Sequence, residues 1–80
     1  GVLYDLPKNW LLFLTIFLQH KNLSEQKLSR IAALDLSSAS NMIQSLQNAG
    51  LIEKTTNNVY AIVRNIEPLI TEVCDEKGLI

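Results

Sequence analysis

Two hydrophobic rhythms run along this chain, and one gives way to the other at Gly50. Before Gly50, apolar residues recur every three or four positions, the period of a helix packed on one side. Trp10, Leu11, Phe13, Leu14, Phe17 and Leu18 keep that spacing, while Leu12 and Ile16 carry apolar surface further round the cylinder. The spacing predicts a first helix from Pro7, whose missing N–H is harmless in a first turn, to about His20. A helix apolar on most sides should be buried on most sides. Leu28, Ile31 and Ala32 then give a shorter helix an i, i+3, i+4 face, with Ser24 as its N-cap and its end near Ala33 and Leu34. Asp35 can cap a third helix, because its side-chain oxygens can accept from the free N–H groups two or three residues on. Ala39, Met42, Ile43 and Leu46 form the apolar face of that helix, and Gly50 ends it.

Beyond Gly50 the runs are short and β-prone. Leu51 to Thr55 and Val59 to Val63 read as two strands, joined at Asn57-Asn58 by a tight turn that needs positive φ. A last helix, about residues 65–77, carries Pro68 in its first turn and Ile66, Leu69, Ile70 and Val73 along one face. Gly78 stops it, and Leu79 and Ile80 can fold back on its last turn. The expected fold is mainly α with a small β-hairpin: a three-helix core, two strands and a C-terminal helix in one domain.

Composition agrees with a folded chain. Of 80 residues, 48 % are hydrophobic and 19 % charged, which places the chain among globular proteins. Its core must be small, so burial against a second surface would help it. The apolar run from Trp10 to Leu18 is too short to cross a bilayer and lacks the flanks of a signal peptide, so no membrane role and a cytoplasmic location are expected. Gly1 in place of Met is what a trimmed chain or a domain cut from a longer protein would show. Cys74 is the single cysteine, which excludes an internal disulfide and a thiol-based metal site. It reads as a structural thiol buried in the last helix, with Asp75 and Glu76 raising its pKa. His20, the one histidine, reads as a surface or capping residue. Without a nucleophile–base pair, paired carboxylates, a glycine-rich loop or metal-ligand spacing, the chain is expected to be no enzyme and to need no metal or cofactor.

The segment from Leu28 to Lys54, LSRIAALDLSSASNMIQSLQNAGLIEK, resembles the winged helix-turn-helix of MarR-like and ArsR-like regulators of bacteria and archaea. Leu28 and Ile31 fall at the apolar positions of the supporting helix. Ala33 takes the tight-turn position, often glycine in those proteins, and Leu34 plugs the turn. Asp35 takes the capping position, and Ala39, Ile43 and Leu46 the core positions of the recognition helix. Ala49-Gly50-Leu51-Ile52 matches the closing signature. The resemblance implies a helix-turn-helix over about 24–49, a wing over about 51–63, and double-stranded DNA as partner in transcriptional regulation. The start of the recognition helix would enter the major groove.

On that reading Ser37, Ser38, Ser40, Asn41 and Gln44 face the bases, since Asn and Gln can grip an adenine edge bidentately. The free N–H groups at the helix start would take a phosphate, and Lys27, Arg30, Lys54 and Arg64 would hold the backbone. The net charge of −1 is not that of a strongly basic protein, so placement of these cations has to supply the attraction. The recognition helix has neither Lys nor Arg. That keeps open the alternative of a winged-helix module that docks or dimerises with protein.

The apolar excess of the first helix carries one more expectation. Trp10, Phe13, Leu14 and Phe17 would meet a second copy, as a homodimer, or a parent domain. The alternative is that the last helix wraps back and covers them within one chain.

Overall fold

Capping chemistry and the change of period set the element boundaries. The computed structural model describes Gly1–Ile80 and contains α1 (Lys8–His20), β1 (Leu23–Ser24), α2 (Glu25–Ile31), α3 (Leu36–Asn48), β2 (Ile52–Thr56), β3 (Val59–Ile62), a 3-10 turn (Arg64–Ile66) and α4 (Glu67–Glu76). Ser24 Oγ accepts from the Lys27 N–H at 3.1 Å and so starts α2. Asp35 starts α3 by accepting from the Ser38 N–H at 3.4 Å and the Ser38 hydroxyl at 2.6 Å.

Three helices stop in the same way, with paired back-bonds around a residue of positive φ. At the end of α3, Leu51 N–H donates to the Leu46 carbonyl at 3.0 Å and Gly50 N–H to that of Gln47 at 2.9 Å, with Gly50 at φ 78°. The end of α4 repeats this at Gly78. The end of α2 repeats it at Ala33, φ 55°, a conformation that a Cβ disfavours. Ser29 helps to hold that turn: its carbonyl accepts from the Leu34 N–H at 2.9 Å, and its hydroxyl donates to the Leu34 carbonyl at 2.5 Å.

The strands form one antiparallel sheet in the order β1-β3-β2, so the expected two-stranded hairpin gains a third strand. The extra strand has two residues, with Leu23 opposite Tyr60 and Ser24 opposite Val59, too short for alternation to betray it. In the hairpin, Asn58 alone takes positive φ, at 57°. Thr55 is an extra residue between Lys54, paired with Tyr60, and Thr56, paired with Val59, and its hydroxyl donates to the Val59 carbonyl at 3.2 Å.

The interior is one cluster drawn from every helix and strand. Leu11, Leu14 and Phe17 of α1 meet Leu23, Leu28, Ile43, Leu46, Tyr60, Ile62 and Ile70 there. This corrects the expectation for Leu14 and Phe17. They are 0 % and 1 % exposed, and so belong to the interior rather than to a surface for a second copy. The reason is that α1 packs on both α4 and β3. Trp10 and Phe13 are half-buried against the same cluster, which leaves Leu12, 43 % exposed, as the most open large apolar side chain of α1. Ile31 and Leu69, expected inward, face outward instead.

Cys74 is buried, and its thiol points at the Leu11 carbonyl, 3.9 Å away. Its pKa is raised by that burial rather than by Asp75 and Glu76. The assembly is a compact α/β domain of four helices and a three-stranded antiparallel sheet. No helix is long and apolar enough to cross a membrane.

Candidate nucleic-acid interface

Helix α3 divides cleanly into two faces. Ala39, Ile43 and Leu46 are buried, at 0–1 % exposure. Opposite them, Ser37, Asn41, Gln44 and Asn48 recur at four-, three- and four-residue steps and are all exposed. Those steps align them in one stripe down the helix. No side chain on the stripe is charged. Sequence reasoning stopped the candidate set at Gln44; the same period carried one turn further reaches Asn48.

The structure separates the five expected base-facing residues into two groups. Ser37, Asn41 and Gln44 lie on the open stripe. Ser38 and Ser40 have other tasks. Ser38 donates its hydroxyl to Asp35 at the cap, and Ser40 donates to Glu25 Oε2 at 3.1 Å, tying α3 to the first residue of α2. Glu25 escaped sequence reasoning because its contact with Ser40 exists only once α2 packs on α3.

The start of α3 is electrically different from what an open helix end would offer. The Ser38 hydroxyl leads in holding the Asp35 carboxyl below its ordinary value, with backbone N–H groups, Ser38's among them, adding to it. Asp35 is therefore a carboxylate at neutral pH. It occupies the place expected for a bound phosphate, and Glu25 lies nearby through Ser40. A carboxylate at this helix end disfavours a second anion there.

The four expected phosphate-holding cations also divide. Lys27 and Arg30 are exposed on α2. Lys54 lies in register with Tyr60, its ammonium 6.0 Å from the ring centroid. Tyr60 is buried, and 6.0 Å is the outer limit of a cation–π contact. Arg64 is elsewhere. It lines a concavity with Lys21, Glu53, Thr55 and Glu67, and successive residues of β2 point to opposite faces of the sheet. Glu53 and Lys54 thus look opposite ways, and Arg64 shares the side of Glu53.

No family model matches the chain, and no curated protein matches it.

Proposed function

We propose that α2, the turn at Ala33 and α3 form a helix-turn-helix, that β2 and β3 form its wing, and that this winged-helix module binds double-stranded DNA in transcriptional regulation. The observation that carries the reading is the uncharged stripe Ser37-Asn41-Gln44-Asn48, wholly exposed on a helix whose other face is locked into the core. A rigid helix with amides at regular steps is suited to reading base edges in the major groove. Asn41 and Gln44 are the base readers, with adenine as their preferred partner. Lys27, Arg30 and Lys54 hold phosphates, and Arg64 is left out of the site.

A second reading rests on Asp35 and Glu25. A carboxylate at the start of α3 and another on α2 beside Ser40 favour a protein segment over a phosphate, and the same face then docks a protein partner. Selection of duplexes from a randomised pool separates the two. For a DNA reader, Asn41→Ala or Gln44→Ala relaxes the selected sequence, losing about 1–3 kcal/mol of discrimination at one base pair. Lys27→Gln, Arg30→Gln or Lys54→Gln weakens all duplexes alike. A pool that emerges without sequence preference, from wild type and variants alike, overturns the base-reading assignment.

A further inference from the structure

The concavity that takes Arg64 away from α3 has chemistry of its own. It is a cleft open to solvent on one side, with a volume of about 350 Å³, within the range of small-molecule sites. Five separate elements build it: Phe17 from α1 and Lys21 at its end, Glu53 and Thr55 from β2, Ala61 and Ile62 from β3, Arg64 from the 3-10 turn and Glu67 from the start of α4. Its charges comprise two cations and two carboxylates. Lys21 and Glu67 satisfy one another, with Nζ 3.5 Å from Oε2, in the one ion pair of the molecule. Lys21 is fixed there by its backbone, which turns at φ 66° directly after α1, while its N–H donates to the Phe17 carbonyl at 2.8 Å.

Arg64 and Glu53 remain. They line the same concavity, yet neither has an ion-pair partner. An anionic ligand would meet the unpaired Glu53, and a cationic one the unpaired Arg64. A molecule that carries both signs offers a partner to each of these two exposed side chains. Asn22 adds an uncommitted side-chain amide, and the Thr55 hydroxyl, whose proton goes to Val59, keeps its lone pairs as acceptors. Phe17, Ala61 and Ile62 supply apolar wall for an aliphatic group.

We propose that this concavity is a binding site for a small zwitterion of the α-amino-acid class, with Arg64 taking the carboxylate and Glu53 the ammonium. Arg suits the first role because its planar fork matches a carboxylate bidentately. The site needs no residue of the α3 stripe, so it stands or falls apart from the DNA reading.

The test is amide chemical-shift mapping of the 80-residue chain with each of the twenty standard amino acids, at 20 mM or, for tyrosine, at saturation. Two truncated probes accompany them: 4-methylpentanoate, which lacks the ammonium of leucine, and 3-methylbutylamine, which lacks its carboxylate. Saturable shifts at Asn22, Thr55, Ala61 and Arg64 with at least one amino acid are expected. Arg64→Gln and Glu53→Gln should each weaken that binding at least tenfold, and Glu76→Gln should leave it unchanged. Circular dichroism establishes that each variant is folded. If leucine is among the binders, each truncated probe should bind at least tenfold more weakly than it. Absence of saturable shifts with all twenty overturns the proposal. Binding that survives both charge-removing variants, or truncated probes that match leucine, overturns it equally.

Discussion

Helices α1 and α3 have the same length, 13 residues, and opposite relations to their surroundings. α3 is apolar on one side and polar on the other, so its buried face is fixed by pattern alone: Ala39, Ile43 and Leu46 are interior as the spacing predicts. α1 is apolar at most angles, so its pattern says that much of it is covered and not by what. The cover comes from within the chain. α4 and β3 take Leu11, Leu14 and Phe17, and the outward side keeps Leu12. A periodic pattern orients a helix only where apolar and polar positions contrast. Where contrast is missing, orientation is decided by elements distant in sequence.

The comparison breaks most readily at the core positions of the two helices. Phe17→Ala in α1 should cost about 3–5 kcal/mol, and Leu46→Ala in α3 about 2–5 kcal/mol, since each empties a fully buried site. Either is a large share of the roughly 5–15 kcal/mol that holds a domain of this kind together. Leu12→Ala, on the outward side of α1, should cost less than about 0.5 kcal/mol, as exposed substitutions usually do. Urea unfolding of the three variants measures this directly. A Leu12 effect as large as that of Phe17 would show that α1 is oriented otherwise, or that a second surface covers it in solution.

A smaller effect sharpens the comparison at the turn that leads into α3. Ala33 sits at φ 55°, where a side chain costs about 1–2 kcal/mol. Glycine removes that strain but gives back about 0.4–1 kcal/mol through the freer unfolded chain. Ala33→Gly should therefore stabilise by up to about 1.6 kcal/mol in the same urea series. Destabilisation would mean that the Ala33 methyl makes a contact outweighing its strain.

Much of the fold is legible in the sequence because local chemistry sets it. Ser24, Asp35 and Gly50 each act where their residue type predicts, at a cap or a helix end. What sequence could not reveal depends on distant partners. The two residues of β1 become a strand only by meeting Tyr60 and Val59. Ile31 and Leu69 fit a helical stripe yet lie at its outer margin, because the core each helix meets is narrower than the stripe. At the candidate site the exposed amides follow directly from helix period. The withdrawal of Ser40 to Glu25 and of Arg64 to the concavity required α2 to pack on α3 and the sheet to fix its faces.

The smallest expected effect is the pH response of the α3 cap. Hydrogen bonds from Ser38 hold the Asp35 pKa below its ordinary value of 3.8. The unfolded chain then takes up the proton more readily than the folded one. The cap's contribution is complete above 3.8 and is lost as pH falls through that value toward the lower folded one. Asp35→Asn retains a capping oxygen and should flatten this part of the dependence of Tm on pH. An unaltered acid limb would assign it to other carboxylates.

On the proposed reading α3 presents its polar stripe to DNA while Lys27, Arg30 and Lys54 hold the backbone. Salt titration of duplex binding tests it most directly. Three phosphate contacts predict a slope of log K against log salt of about −2.7, and Lys54→Gln should flatten it by about 0.9. A duplex affinity independent of salt, or a slope that none of the three substitutions changes, would contradict the account.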